Sequence, residues 1–281
     1  MENWINCWRG SRVQAEIMAS GDKSKNAKAS RFAYVQSLER GLAVITSFNE
    51  TRPEQTLTDV AKATGLDRAA ARRFLLTLET LGYVDRAGKM FRLRPQTMQL
   101  GYAYLASLPW WRAAQSVSEA LTKKIQLSSA VGVLDHTDVV YVAYASAGRF
   151  SLLANRSVGT HLPAITTAIG RVLIAALPPE EMRAWLSKIK PERYTSRTVT
   201  DRTDLARLLG TVRSAGFSMV DQELEVGLRT LGVPIHNKGG MVVGGLSVSL
   251  IEPQVSRDTM MKRYLRPLQS AAREITSSLA V

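Results

Sequence analysis

Apolar residues first recur at helical spacing near residue 38, and they predict a short amphipathic helix. Leu38, Leu42, Ile45 and Phe48 are separated by four, three and three positions, which places them on one face of an α-helix. Ser37 is the expected N-cap, because its hydroxyl can accept a hydrogen bond from a free backbone N–H group. The Arg-Pro pair that follows predicts the end of this segment.

Two further helices and a hairpin come next along the chain. Thr56–Asp59 fits a capping box with Asp in place of Glu, and Gly65 stands at the expected C′ position of this second helix. Asp67 is the predicted cap of the third helix. The buried stripes of these two helices are predicted to be Leu57, Val60, Ala61 and Thr64, and then Ala71, Phe74, Leu75 and Leu78. Short strands are predicted at Tyr83–Arg86 and Met90–Leu93, joined by a tight turn.

This order of elements is typical of a winged helix-turn-helix that binds DNA. Its second helix braces the third, so that the third can lie in a major groove with its N-terminal residues at the base edges. The exposed side of the third helix carries Arg68, Ala69, Ala70, Arg72 and Arg73, and arginine suits both guanine and phosphate. We assign the hairpin residues Arg86, Lys89 and Arg92 to phosphate or minor-groove contact. The alternative is a small helical domain for protein contacts whose arginines are merely solvated.

Beyond this segment the pattern changes. Pro95 and Pro109 bracket a predicted linker helix, and strand pairs then alternate with helices. Helices are predicted near 114–125, 167–177, 180–187, 202–215 and 261–279, and strands near 130–134, 139–145, 217–221, 230–236 and 241–251. This order predicts an α+β fold with a mixed, largely antiparallel sheet. We expect a disordered or extended arm (1–34), a DNA-binding domain (35–95), the linker helix (96–111) and a C-terminal domain (112–281).

Composition narrows the function classes. The 281 residues carry a formal charge of +13, which favours a polyanionic partner such as nucleic acid or a membrane surface. No apolar stretch approaches the roughly 18–20 residues of a membrane span, and no signal peptide is visible, so we expect a cytoplasmic protein with no membrane partner. One cysteine and three histidines argue against a disulfide framework or a His/Cys metal site, and we expect no cofactor. Translation could begin at Met1 or at Met18.

Three motifs in order resemble the IclR family of bacterial transcription regulators over residues 35–281. The first is LTDVAKATGL (57–66) followed by ARRFLLTL (71–78) and LGYV (81–84). The others are GTHLPA (159–164) with AIGRVLIA (168–175), and VDQELEVGLRTLGVPI (220–235). The motifs are most similar to the subgroup that regulates protocatechuate, 4-hydroxybenzoate and β-ketoadipate genes. Residues 145–150 depart from that subgroup, since a pair of basic residues is expected there and only Arg149 is present.

The resemblance implies a GAF-like effector domain that holds a small molecule between its sheet and a helix. By position, the implied lining residues are Ser151, Ala154, Leu162, Ala168, Ile169, Leu228, Thr230, Ser247 and Ser249. The residue pattern supports this implied ligand site in part. Thr166 and Thr167 lie at a predicted helix start, where free N–H groups favour a carboxylate. Ser247 and Ser249 share one strand face, although ordinary strand serines satisfied by their neighbours are an equal alternative. Arg171 pairs either with an acidic effector or, as we favour, with Asp221 or Glu225.

We therefore predict a regulator that binds operator DNA as a homodimer or tetramer under control of a carboxylate effector, either an aromatic acid or β-ketoadipate. A non-aromatic carboxylate effector and a nonspecific DNA-binding protein are the alternatives. An enzyme is not expected, because Asp221, Glu223 and Glu225 with His136, His161 and His236 form no catalytic motif. The sequence leaves open whether the protein activates or represses.

Overall fold

A computed structural model describes residues 34–148, 156–251 and 255–279. Most of the predicted N-terminal arm lies outside these ranges. The chain forms two compact units, Met1–Tyr102 and Ala103–Val281, and this division falls inside the predicted linker helix.

From residue 34 onward, the N-terminal unit contains three helices and a small sheet, and it ends in the start of a fourth helix. In chain order its elements are α1 (Gln36–Thr46), β1 (Glu54–Thr56), α2 (Leu57–Thr64), α3 (Arg68–Thr80), β2 (Val84–Ala87) and β3 (Met90–Leu93), followed by a 3₁₀ turn (Pro95–Thr97) and the start of α4 (Met98–Ser107). The predicted capping box is present, since Thr56 and Asp59 each accept a hydrogen bond from the other's backbone N–H. Gly65 then ends α2 in the left-handed conformation, and Asp67 caps α3.

The structure corrects the start of α1. The predicted N-cap Ser37 lies inside the first turn, and the cap is Val35, which makes no side-chain cap bond. The extended Val35 residue closes the turn with its carbonyl, which accepts from the N–H groups of Leu38 and Glu39. The helix therefore begins without the side-chain cap that the sequence suggested.

Strand β1 was missed by the sequence reasoning, because three residues are too short to show a period. It pairs antiparallel with β3, giving the sheet order β1-β3-β2. The core beneath this sheet consists of Val44, Phe48, Val60, Ala61, Ala71, Leu75, Leu78, Val84 and Phe91. The wing hairpin is thus anchored to the helices through Val84 and Phe91.

The C-terminal unit is a six-stranded antiparallel sheet between two layers of helices. Its strands are β4 (Ser128–Asp135), β5 (Asp138–Ala145), β6 (His161–Pro163), β7 (Ser218–Asp221), β8 (Leu228–His236) and β9 (Val242–Ile251). Its helices are α5 (Trp111–Ile125), α6 (Ala168–Ala176), α7 (Pro179–Lys188), α8 (Arg202–Ala215) and α9 (Arg257–Ser278), with a 3₁₀ turn at Ala164–Thr166. The strand order is β6-β5-β4-β9-β8-β7, and every neighbouring pair is antiparallel, as the α+β prediction required.

The two faces of the sheet bury separate apolar clusters. Helices α5 and α9 cover one face, and α6 with α7 and α8 covers the other. Helix α6 approaches the sheet closely at Gly232, where an added Cβ would lie 2.8 Å from the carbonyl carbon of Ala168. This close contact brings the N-terminus of α6 against β8 and β9. Within the described ranges, no helix has both the length and the apolar composition needed to cross a membrane.

Candidate nucleic-acid interface and ligand cavity

The basic side of α3 is exposed and unengaged. Arg68, Arg72 and Arg73 are solvent-exposed, and their guanidinium groups form no hydrogen bond or ion pair within the described part of the chain. Ala69 is also exposed, and Ala70 is half-buried beside the Asp67 cap. Because Ala71, Leu75 and Leu78 turn toward the core, the three guanidinium groups remain available for an anionic partner.

The three basic residues of the wing hairpin differ in how free their side chains are to contact DNA. Lys89 is exposed at the turn, and Arg86 donates to the Gly88 carbonyl oxygen at 3.0 Å while its guanidinium lies over the Phe91 ring. Arg92 is exposed but pairs with Asp85 at 2.8 Å and lies 4.0 Å from Glu54. These contacts already balance the charge of Arg92, so Lys89 is the freer cation of this hairpin.

A small cavity of about 20 Å³ lies between the sheet and the N-terminus of α6. Its lining residues are Tyr141, Arg156, Thr166, Thr167, Ala168, Ile169, Val220, Leu224, Leu228, Thr230 and Ser247. The walls combine apolar side chains with polar groups, as expected of a small-molecule site.

The predicted effector residues are only partly brought together. Five of them line the cavity: Ala168, Ile169, Leu228, Thr230 and Ser247. Leu162 is buried in the apolar cluster around α6 and does not line the cavity, and Ser249, the cross-strand neighbour of Thr230, does not line it either. Ser151, Ala154 and Arg149 lie outside the described residues.

The sequence reasoning missed Tyr141, Arg156, Val220 and Leu224 as wall residues. Tyr141 belongs to an apolar strand, and the alternation of residues along a strand indicates which face of the sheet a side chain lies on but not whether it lines a cavity. Arg156 comes from a segment in which apolar residues do not recur at a regular spacing. Thr166 and Thr167 were singled out for the helix start, and both line the cavity. Their hydroxyls are already used, since they donate to the carbonyl oxygens of Pro163 and Ala164 at 3.1 Å.

Two kinds of free donor or acceptor face the cavity instead. The buried hydroxyl of Thr230 has no hydrogen-bond partner within the described chain. Ala168 and Ile169 are the first two residues of α6, so their N–H groups have no partner inside the helix. A ligand with a carboxylate and a second polar group would satisfy both.

Arg156 supplies the cavity's positive charge. Its side chain is 11% exposed, forms an ion pair with Glu225 and shares a hydrogen bond with the Tyr141 hydroxyl. Burial alone would lower the pKa of Arg156, but Tyr141 and Glu225 outweigh this and raise it, so the guanidinium stays charged. Burial also raises the pKa of Tyr141, whose phenol therefore keeps its proton.

Glu225 belongs to the segment Asp221–Gly227, here named the acidic loop, in which each carboxylate has an arginine partner. Glu223 binds Arg171 through two hydrogen bonds of 2.7 and 2.6 Å, and Arg171 also donates to the Ile165 carbonyl oxygen. The sequence predicts a structural pair of Arg171 with Asp221 or Glu225; Arg171 does form a structural pair, but its partner is Glu223. The reason is that Asp221 is held by Arg229 at 2.9 Å, and Glu225 by Arg156.

The residues considered for catalysis are therefore engaged or dispersed. The three carboxylates of the acidic loop are all ion-paired. His136 lies in the β4–β5 turn, His161 on β6 and His236 at the end of β8. Among the described residues, no group of three His, Cys, Asp or Glu side chains could hold a metal ion.

Both units match known protein families. The family described as "Bacterial transcriptional regulator IclR C-terminal" matches residues 102–277, and the "IclR helix-turn-helix domain" matches residues 37–88. The Pca regulon regulatory protein of Pseudomonas putida is 35% identical, covering 94% of this chain and 90% of that protein. The p-hydroxybenzoate hydroxylase transcriptional activator of Acinetobacter baylyi is 31% identical, covering 86% of this chain and 91% of that protein.

Solved structures agree with these matches. A transcriptional regulator from Rhodococcus sp. RHA1 shares 43% identity at a TM-score of 0.80, covering 88% of this chain and 98% of that one. An IclR homologue from Microbacterium hydrocarbonoxydans, complexed with 4-hydroxybenzoate, shares 25% identity at a TM-score of 0.76, covering 86% and 98%.

Proposed function

The chain belongs to the IclR family of bacterial transcriptional regulators, and from that premise we propose that its cavity binds an aromatic carboxylate that controls how α3 engages operator DNA. The protein is a ligand-responsive regulator of transcription and not an enzyme.

The N-terminal unit supports DNA binding through α3. Arg68, Arg72 and Arg73 lie in its first two turns, where a recognition helix meets the base edges. The small side chains of Ala69 and Ala70 allow the helix to approach the bases closely. Lys89, Arg86 and Arg92 of the wing are proposed phosphate or minor-groove contacts, with Arg92 the weakest because Asp85 and Glu54 offset its charge.

The observation that carries the ligand proposal is the unpartnered hydroxyl of Thr230, buried in the wall of a cavity that also holds Arg156. A buried polar group without a partner costs roughly 1–3 kcal/mol, so it is expected where a ligand completes the bonding. The free N–H groups of Ala168 and Ile169 favour a negative charge at the same place.

The cavity walls and the likeness to known proteins favour an aromatic acid. The apolar walls from Ile169, Leu224 and Leu228 offer the ring its contacts. The p-hydroxybenzoate hydroxylase transcriptional activator of Acinetobacter baylyi and the homologue complexed with 4-hydroxybenzoate support the same class. β-Ketoadipate and other non-aromatic carboxylates are the second candidates, because Arg156 and the helix N-terminus recognise only the charge.

We also propose that the protein acts as a homodimer or a pair of dimers. Helix α4 buries none of its side chains among the described residues, and its exposed large apolar residues are Met98, Leu100, Tyr102 and Tyr104. Tyr34, Val35, Leu38 and Leu42 at the start of the described chain are exposed as well. Apolar surfaces of this kind mark protein contacts, and two copies double the number of base contacts.

Replacing Thr230 by Val tests the ligand site. The change removes only the unpartnered hydroxyl, so we expect unchanged or slightly higher thermal stability and an affinity for 4-hydroxybenzoate weakened roughly tenfold, equal to about 1.4 kcal/mol. Isothermal titration calorimetry on the full chain, with protocatechuate, β-ketoadipate and an aliphatic acid beside 4-hydroxybenzoate, measures both the preference and the loss.

Ser218→Ala is the matched control. Ser218 also buries an unpartnered hydroxyl in the same sheet but does not line the cavity. We expect this variant to bind like the wild type. Equal losses in both variants, or no binding of any acid by the wild type, would contradict the proposed site.

A further inference from the structure

The arginine–carboxylate ion pairs of the acidic loop differ in whether a ligand in the cavity can contact them. Arg171 and Arg229, which hold Glu223 and Asp221, have side chains only 1% and 3% exposed, and neither lines the cavity. Arg156, which holds Glu225, is itself part of the cavity wall. A ligand in the cavity can therefore contact the positive partner of only this pair.

The charge of Arg156 in the cavity wall is balanced, because Glu225 neutralises it. A carboxylate that enters would place a second negative charge beside the same buried guanidinium. Like charges repel strongly where water is excluded, since the effective dielectric constant there is well below that of water. One of the two carboxylates should leave.

Glu225 is the carboxylate that can separate from Arg156 at the smaller cost in free energy. Its side chain is 25% exposed, and the next residue, Val226, is 76% exposed, so a rotation would return Glu225 to water. The rest of the loop would stay attached through Asp221 and Glu223, which keep their own arginines. Leu224 lies between the anchored Glu223 and the released Glu225. Because Leu224 lines the cavity, it would move when Glu225 is released.

From this arrangement we infer that Arg156 exchanges Glu225 for the carboxylate of the ligand, and that the exchange releases the tip of the acidic loop. Ligand charge is thus converted into loop movement at the protein surface. The inference rests on the proposed function, because it requires a carboxylate ligand in the cavity. Glu225 acts as a built-in competitor that sets both the affinity and the response.

Glu225→Gln tests the exchange, because it removes the competing charge while keeping a similar shape. The probes are 4-hydroxybenzoate and its neutral analogue 4-hydroxybenzamide, titrated calorimetrically into the full wild-type chain and the variant. We expect the variant to bind the acid roughly tenfold more tightly and the amide within about twofold of wild type. Equal or weaker binding of the acid by the variant would overturn the exchange.

Hydrogen exchange on the wild-type chain provides a second readout that needs no variant. The Leu228 N–H donates to the Glu225 carbonyl oxygen, and the Gly227 N–H donates to the Gln222 side chain. We expect 4-hydroxybenzoate to accelerate exchange at these two amides severalfold, and the amide analogue to leave them unchanged. Unchanged or slower exchange with the acid would mean that Arg156 holds both carboxylates at once, and would overturn the release.

The outcomes separate this inference from the proposed function. If wild type and variant bind neither probe, the ligand site itself is wrong. If both bind the acid with the same affinity and the loop amides do not change, the site stands and the exchange is wrong.

Discussion

At the scale of single residues, buried charge in the C-terminal unit is organised as arginine–carboxylate pairs. Arg171 satisfies three acceptor atoms at once, two on Glu223 and one on Ile165, which is what a side chain only 1% exposed requires. Removing one partner of such a pair leaves an uncompensated buried charge and typically costs about 3–5 kcal/mol. These pairs are therefore structural, and Arg156 differs from them by facing the cavity.

The pair of Asp221 with Arg229 gives a pH-dependent prediction. Burial would raise the pKa of Asp221, but hydrogen bonding and charge from Arg229, with a contribution from Arg197, lower it below the usual 3.8. A lowered folded-state pKa means that the stabilisation is complete above the usual value and is lost as the pH falls through the folded value.

We expect Asp221→Asn to lower the free energy of unfolding by about 1–3 kcal/mol at pH 7, less than the loss of the whole partner, because the Asn Oδ1 atom can still accept a hydrogen bond from Arg229. The gap between wild type and variant should shrink as the pH falls below 3.8. Urea denaturation of both proteins across pH 2.5–7 measures this, with the range set by the reference pKa of Asp at about 3.9. A gap that is constant over the range would show that the charge of Asp221 contributes nothing.

At the scale of elements, α3 and the wing contribute differently to DNA binding. The free guanidinium groups of α3 can form bidentate contacts with bases, whereas Arg92 must first give up Asp85. The distinction follows from strand register, since Arg92 lies opposite both Glu54 and Asp85 in the three-stranded sheet.

Arg73→Ala should weaken binding to an operator duplex, chosen by in vitro selection with the full chain, by about 1–3 kcal/mol. Arg92→Ala is the comparison on the same unit and should cost less than about 0.5 kcal/mol, because its lost charge was already offset. Fluorescence anisotropy at fixed salt gives both values. If the two variants lose affinity equally, α3 has no special role in recognition.

Much of this organisation could be predicted from the sequence, because it depends on local patterns. The capping box at Thr56 and the glycine at position 65 are present as predicted, and Ala71, Leu75 and Leu78 of the α3 stripe are buried, whereas Phe74 is only half-buried against the same core. The resemblance to the IclR family, inferred from three motifs, is confirmed by matches over both units.

The parts that were missed depend on distant contacts. β1 exists because β3 pairs with it, and the partner of Arg171 depends on which carboxylate the acidic loop brings to α6. Arg156 and Tyr141 meet in the cavity although 15 positions separate them, and nothing in either local pattern marks that encounter. Ser249 shares a predicted face with Ser247, yet only Ser247 lines the cavity, because strand alternation fixes a face and not a depth.

At the scale of the whole molecule, one chain carries both a DNA-binding unit and a ligand-binding unit. A ligand changes the occupancy of DNA only if it binds more tightly to one state of the protein than to the other. The same factor must then appear in the affinity of the DNA-bound protein for the ligand. Whether the result is activation or repression depends on where the operator lies, which the protein does not determine.

Reciprocal titration tests this coupling most directly. The affinity of the full chain for its selected operator duplex is measured without ligand and with saturating 4-hydroxybenzoate, and the affinity for 4-hydroxybenzoate is measured with and without operator. We predict that both affinities change by the same factor, about fivefold or more. Operator affinity that is identical with and without bound acid would contradict the account.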